Sequence, residues 1–419
     1  MLITSLLSTI APIAILLSVI LPSAILWLEC SAAWLARPHR HTLSESPEAR
    51  TPQGLRVAVL VPAHNEEAVI AETLHSIQPQ LAPQDILLVV ADNCTDATAT
   101  IAQGEGATVI ERKNPDQRGK GYALDYGVKY LAQQGHHPED RTDQPDIVIL
   151  MDADCDVHPG CIQQLTHRAA ASQRPIQCCY VMATPAEPSI KDRLSAFAFL
   201  VKNWVRPLGL SQLGAPCLLT GTGMAFPWQI LKDAPLASGN IVEDMQLGLD
   251  LAIVGYAPLF CPTARVTGLL PQGADTATQQ RTRWEHGHLQ TFLSQTPRLL
   301  KAALQQGRPD LLALVGELSI PPLSFLVLLW VAYALLSAIA GMTIGAYLPL
   351  LLTAVAGILL GMAILLAWAK AARDLLPFST LLMVPVYLLW KIPVYFKFFR
   401  KPQASWNKTQ RDRTIEIQD

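Results

Sequence analysis

Four groups of side chains in this 419-residue sequence have the type and spacing to do chemistry. Asp92 and the Asp152-Ala153-Asp154 cluster are acidic. Acids do not suit bare phosphate, which is bound by backbone amides or cations; they suit a hard divalent cation that itself carries phosphate. Two acids in a turn are also what a solvated loop carries, and Asp-Asn pairs such as Asp92-Asn93 are common in turns. Glu243-Asp244 opens an amphipathic pattern (Leu247, Leu251, Ile253, Val254). Acids at a helix start are favoured by the dipole alone, yet an aspartate in a cleft is the simplest general base for a hydroxyl. Thr220-Gly221-Thr222-Gly223 would let a sugar or a chain approach the backbone closely, or form a plain turn. In Gln280-Arg281-Thr282-Arg283-Trp284, a helix would place Gln280, Arg283 and Trp284 on one face. The guanidinium could then clamp a diphosphate and the indole carry a sugar ring, although an Arg/Trp pair also snorkels at a membrane interface.

The elements that must position these groups read as α/β. Arg56–Pro62, Asp85–Val90, Ala107–Glu111 and Ile147–Met151 are short apolar runs expected as buried strands. Between them lie helical patterns, one opening at His64-Asn65-Glu66-Glu67 with Ile70, Leu74 and Ile77, the next over Ala97–Gln103. Strands apolar on both faces and alternating with helices predict a mainly parallel, Rossmann-like sheet. Ligands of such sheets bind outside the carboxyl ends of the strands. Asp92 follows the second strand and Asp152/Asp154 the fourth, and it is this joint placement that points to a site. No Gly-x-Gly-x-x-Gly follows the first strand and no Gly-x-x-x-x-Gly-Lys-Ser/Thr occurs, so dinucleotide oxidoreductases and P-loop ATPases are poor readings.

Charge is unevenly spread. Only 16% of the residues are charged, against about a quarter in soluble domains. Leu2–Leu28 and Leu318–Ala369 carry no charge. The first reads as a retained anchor interrupted by Glu29, within a segment 1–36; the second has room for two spans with a turn near Gly341–Leu348. Leu311–Ile320 would lie along the membrane surface, so that 311–369 comprises an interfacial helix and two spans. Residues 375–399 hold Pro377, Pro385, Pro393, Lys391 and Lys397 and read as a re-entrant or interfacial segment, or else as a third C-terminal membrane helix. Residues 400–419 form a basic tail. Arg37, Arg40, Lys370 and Arg373 flank the apolar segments, and by the positive-inside rule they put the domain at 50–300 in the cytoplasm. The eight cysteines, including the vicinal Cys178-Cys179, show no zinc spacing and read as reduced thiols of that domain, with the vicinal pair on a buried strand. A net charge of −2 is too balanced for a nucleic-acid partner. The large water-facing insert and the few spans exclude a transporter.

Taken in order, Val61-Pro62-Ala63-His64-Asn65-Glu66-Glu67, Asp92, Arg118-Gly119-Lys120-Gly121, Asp152-x-Asp154, Gly221-Thr222-Gly223, Glu243-Asp244 and Gln280-x-x-Arg283-Trp284 resemble the membrane-integrated family 2 glycosyltransferases. These include synthases of cellulose, hyaluronan and poly-N-acetylglucosamine, and ceramide glucosyltransferase. The resemblance runs from about Arg56 to Trp284. It implies a GT-A fold and inverting transfer from a nucleotide sugar, usually a UDP-sugar, with Mg²⁺ or Mn²⁺. Pro62, Asn65 and Glu66 would line the nucleotide pocket, Asp92 would contact the base and Lys120 the nucleotide or its phosphates. Asp152 would sit near the ribose and diphosphate and share the metal with Asp154. Asp244 would be the general base, with Glu243 beside it. Gln280, Arg283 and Trp284 would bind the diphosphate and the acceptor end.

Two departures narrow the resemblance. Ala91-Asp92-Asn93 stands where many relatives have two adjacent acids. The apolar segments are few, and no cyclic-dinucleotide receptor domain follows them, which argues against a cellulose synthase proper. The expectation is an enzyme of exopolysaccharide or cell-envelope assembly in a bacterial inner membrane, acting on a growing polysaccharide or a lipid-linked acceptor. Membrane lipids and an export or assembly partner are expected company. The alternatives are a single-transfer enzyme of the ceramide-glucosyltransferase kind and an inactive sugar-nucleotide-binding scaffold.

Overall fold

The computed structural model describes residues 10–36, 54–134, 144–185, 187–239, 241–269 and 274–400. They divide into two compact units, one drawn from Pro38–Glu187 and Pro216–Gly287, the other from Met1–Arg37, Pro188–Ala215 and His288–Pro402.

The first unit is built on one sheet of eight strands: β1 (Val57–Ala63), β2 (Ile86–Asp92), β3 (Thr108–Arg112), β4 (Ile147–Leu150), β5 (Cys155–Val157), β6 (Ile176–Ala183), β7 (Met224–Pro227) and β8 (Leu259–Leu269). Their order is β3-β2-β1-β4-β7-β6-β8-β5. The four strands expected from the apolar runs form its parallel half. The other half is mixed, because β7 runs antiparallel to β4 and β6, β8 parallel to β6, and β5 antiparallel to β8. Leu60, Leu88, Val90, Leu150 and Phe226 of the strands pack with Leu124, Val128 and Leu131 of the helix Lys120–Gln133 into one core. Cys178 and Cys179 lie buried on β6, and all eight cysteines are free thiols.

The first helix begins at Ile70, not at His64. Asn65 instead takes a left-handed φ of 55°, and the carbonyl of Glu66 accepts the N–H groups of Val69 and Ile70, both at 3.0 Å. The apolar spacing is satisfied from Ile70 onwards, so the polar residues before it are free to bond elsewhere.

The second unit contains helices Ile10–Leu35, Leu323–Ile344 and Tyr347–Ala371, which among the described residues are the three long and apolar enough to cross a membrane. The last two are joined at Gly345, inside the expected turn. Leu311–Ile320 corresponds to the helix Pro309–Ser319, and 375–399 to helices Phe378–Leu381 and Val384–Arg400, with Pro393 inside the latter. Leu2 to Thr9, Arg37 and Arg40, and the tail beyond Arg400 lie outside the described residues.

Glu29 does not end the first apolar helix, which runs on to Leu35. Its carboxylate is buried and accepts from Arg206 Nε at 3.0 Å. Arg206 Nη2 donates to the Glu317 carbonyl at 2.8 Å and lies 2.9 Å from the Glu317 carboxylate. The helices meet closely here, since a Cβ on Gly209 would fall 2.0 Å from the Glu29 carbonyl oxygen. A charge inside an apolar helix is tolerated because a guanidinium from another segment meets it. Arg206→Met would leave two buried carboxylates facing each other without their cation, and breaking such a pair costs about 3–5 kcal/mol. The expected outcome is a large drop in melting temperature of the detergent-purified protein, and a smaller one for Glu29→Gln. An unchanged melting temperature for Arg206→Met would dissolve the triad's structural role.

Candidate active site

The site is assembled at the carboxyl ends of β1, β2 and β4. Pro62 is tolerated in the central strand β1 because the β4 ladder ends two residues earlier, at Leu60↔Leu150. Beyond it the loop after β1 is laced to the loop after β2. Asn65 Oδ1 accepts the N–H of Thr95 at 2.7 Å, Asn65 Nδ2 donates to Thr95 Oγ1 at 3.1 Å, and the N–H of Glu66 donates to Thr98 Oγ1 at 2.8 Å. Asn65 and Glu66 are thus held as one rim across two strand ends.

Asp92 closes β2 and is buried. Its Oδ1 accepts from Arg112 Nη1 at 2.6 Å and from Asn93 Nδ2 at 2.9 Å. Arg112 is its register partner on β3, and the same nitrogen donates to the Gln117 carbonyl at 2.9 Å. The pair therefore fixes the segment leading to Lys120. Sequence reasoning singled out Asp92 but missed Arg112; the available signal was a cation closing the strand that neighbours β2.

Lys120 is the first residue of its helix, and its ammonium is bonded to Asp152 Oδ1 and, at 2.6 Å, to the carbonyl of Gly221. Gly221 has φ +98°, a left-handed conformation that aims this carbonyl at the lysine. A Cβ on Gly221 would lie 3.3 Å from Asp244 Oδ2 and 3.8 Å from Lys120 Nζ. Thr222 accepts the backbone N–H of Asp152 at 2.9 Å through its hydroxyl. Gly223, φ +63°, has Cys178 Sγ where its own Cβ would stand, 2.0 Å away. Four sequence motifs thus converge on one place: Lys120, Asp152, Gly221-Thr222-Gly223 and Asp244.

Ligand atoms of Asp152, Asp154 and Cys155 all lie within 4.8 Å of one another. Burial, and next the Asp154 carboxylate, hold the Cys155 thiol well above its usual range, so it stays protonated. The donors left are two partly exposed carboxylates, a set that suits Mg²⁺ or Mn²⁺ completed by water and phosphate oxygens.

Glu243 and Asp244 open the helix Glu243–Ile253. Loss of solvent, and then the Asp244 carboxylate, push Glu243 up to about 7 against the pull of Lys120. Lys120 is desolvated too, yet Asp152 and Glu243 carry its ammonium above the usual lysine range.

Gln280, Arg283 and Trp284 share a face of the helix Ala274–Gln306. One turn on, Gly287 seats this helix against the segment before Glu243: a Cβ there would lie 2.5 Å from Val242 Cγ1. Gly287 carried no sequence signal, because a lone helical glycine reads as a flaw until its neighbour is known.

Residues 52–287 match the family described as glycosyltransferase like family 2, over more than half of the chain. The chain belongs to that family. It has a GT-A-like sheet and, among the described residues, three candidate membrane-spanning helices. It is 36% identical over 111 residues to the 4,4'-diaponeurosporenoate glycosyltransferase of Staphylococcus aureus (strain USA300), covering 26% of each protein. With the same enzyme of strain bovine RF122 / ET3-1 it shares 42% identity over 79 residues, 19% of this chain and 20% of that one. The chain spans about a quarter of the length of these curated relatives. A mannosyltransferase from Pyrobaculum calidifontis, solved in complex with GDP-Man and Mn²⁺, has the same fold at a TM-score of 0.51 and 18% identity, covering 94% of this chain and 99% of that one.

The raised Glu243 carboxyl has a thermodynamic consequence. Between its unfolded value near 4.5 and its folded value near 7 the native state holds a proton that the unfolded chain has lost. Stability from this group is therefore present below pH 4.5 and lost as pH rises through 7. In metal-free buffer Glu243→Gln should raise the melting temperature relative to the native chain at pH 8 and leave it unchanged at pH 4. Equal differences at both pH values would show that Glu243 ionises normally.

Proposed function

We propose that the chain is an inverting glycosyltransferase that moves a sugar from a nucleotide sugar, a UDP-sugar, to a hydroxyl of a growing polysaccharide or a lipid-linked acceptor. The observation that carries the reading is the convergence of Lys120, Asp152 and Asp244 on the Gly221-Thr222-Gly223 loop at the sheet's carboxyl edge, next to the Asp154 carboxylate.

Pro62, Asn65 and Glu66 form the rim for the nucleotide, and Asp92, braced by Arg112, presents the strand end to the base. Asp152 and Asp154 would hold Mg²⁺ or Mn²⁺, which supplies charge neutralisation at the diphosphate when bound. Lys120 orients Asp152 and adds its own positive charge beside the phosphates. Asp244 takes the proton of the acceptor hydroxyl while that oxygen bonds to the anomeric carbon from the face opposite the leaving group. The bond from that carbon to the diphosphate breaks, and the nucleoside diphosphate departs with the electron pair. Glu243 stands beside Asp244 at the start of the same helix. Gln280 and Arg283 receive the diphosphate, where a guanidinium stabilises developing charge, and Trp284 offers a platform for the acceptor sugar.

Three apolar helices and the flanking basic residues support a multi-pass protein of a bacterial inner membrane, with residues 50–300 as a cytoplasmic catalytic domain and 375–399 as a re-entrant or interfacial segment. A second reading, a single transfer to a small lipidic acceptor, is favoured by the curated relatives, which are named for glycosylating one compound.

UDP release by the detergent- or nanodisc-purified chain, screened over a panel of UDP-sugars with Mn²⁺ or Mg²⁺, tests the reading. Release with one sugar is expected, and product length then separates polymer from single transfer. General-base help is worth about 10²–10⁴-fold, so Asp244→Asn should lose that much turnover while still binding UDP with Mn²⁺. Asp154→Asn should lose the metal-dependent part of that binding. Nucleotide binding without turnover on any donor would favour an inactive scaffold, and near-normal turnover of Asp244→Asn would remove Asp244 as the base.

A further inference from the structure

Two of the four residues of the Thr220–Gly223 loop are glycines, yet the loop carries two of the contacts that join the candidate site together. One is the Gly221 carbonyl that receives Lys120, and the other is the Thr222 hydroxyl that receives the backbone N–H of Asp152. The peptides on the outer sides of Thr220 and Thr222, which bracket Gly221, are held by Gln177, a β6 residue that is 1% exposed. Its Oε1 accepts the N–H of Thr220 at 2.8 Å. Its Nε2 donates to the Thr222 carbonyl at 2.9 Å and to the carbonyl of Cys178 at 3.1 Å. A primary amide carries an acceptor and two donors on one planar group, which is what bracketing a left-handed glycine requires. The backbone of the next residue completes the anchorage, because the Cys178 N–H donates to the Gly223 carbonyl at 2.9 Å.

We propose that Gln177 is a positioning residue of the transfer site, setting the Gly221 carbonyl and the Thr222 hydroxyl that in turn hold Lys120 and Asp152 toward the nucleotide diphosphate and its cation. This rests on the functional reading above. Gln177 touches no reacting atom; it acts through the loop. Nothing in its sequence setting, Pro175-Ile176-Gln177-Cys178, distinguishes it from a polar residue at the start of a strand.

The same unit contains a matched control. Gln80 is also buried, with Nε2 donating to the carbonyls of Ser76 at 2.8 Å and Val157 at 3.0 Å and Oε1 accepting the Ile162 N–H at 3.3 Å. It braces the fold without contacting the Thr220–Gly223 loop. Full-length Gln177→Met, Gln177→Glu and Gln80→Met would be compared with the native chain in detergent, by amide hydrogen exchange of the peptide covering residues 219–224 and by calorimetric binding of UDP in the presence of Mn²⁺. In Gln177→Met the loop amides should exchange faster and the UDP–Mn²⁺ affinity fall by about 10-fold or more, the scale seen when groups behind a metal ligand are removed. Gln80→Met should lose stability but keep native loop exchange and native affinity. Gln177→Glu keeps the shape and the acceptor for Thr220 but loses the donor to Thr222 when ionised, so its affinity deficit should be larger at pH 8 than at pH 5. Native loop exchange and native affinity in both Gln177 variants would overturn the proposal, as would an equal loss of affinity in Gln80→Met. Faster loop exchange in Gln177→Met beside a native chain that binds no UDP would instead overturn the nucleotide-sugar reading while upholding the loop anchorage.

Discussion

The bond from the Lys120 ammonium to Asp152 is the interaction around which the candidate site of the sheet-containing unit is organised. Asp152, Glu243 and Asp244 bring three carboxylates into one partly buried place, and without a cation among them their mutual repulsion would open it. Lys120 sits within reach of all three, which is why its charged form is favoured despite its desolvation. It can do so because it is the first residue of its helix, where the side chain leaves the helix end rather than its flank. The Gly221 carbonyl accepts a second bond from the ammonium, at 2.6 Å. Charge balance and loop geometry are therefore one constraint, satisfied by a lysine and a left-handed glycine together.

The same arrangement prepares the place for a ligand richer in charge than the free protein. One lysine against three carboxylates leaves negative charge in excess, and the protein stores part of the imbalance as a proton on Glu243. A divalent cation held by the Asp152 and Asp154 carboxylates would relieve it.

Buried charge is handled by the same rule in the unit with the apolar helices. Arg206 stands between Glu29 and Glu317, and Gly209 lets the helix that carries it lie against the backbone of Glu29. In both units a cation from one chain segment meets acids from two others, and a glycine without a side chain allows the approach. Such contacts tie together segments far apart in sequence, and removing one partner leaves an uncompensated charge.

Much of this was legible in the residues. Apolar runs of Val, Ile and Leu dictate strands wherever both faces are covered, so β1 to β4 and their parallel pairing followed from pattern alone. The two uncharged segments specified long apolar helices, and spacing put Gln280, Arg283 and Trp284 on one helical face. Three things needed the tertiary structure. The helix after β1 starts six residues later than its pattern suggested, because Asn65 and Glu66 bond to Thr95 and Thr98 across the strand ends. Glu29 lies within a long apolar helix because Arg206 reaches it from 177 residues away. Arg112, Gln177 and Gly287 gained their roles only from what stands opposite them. A periodic pattern is local and repeats every few residues, so the chain itself records it. A hydrogen bond or an ion pair between distant segments leaves no such period, and only the folded chain decides which polar residue meets which.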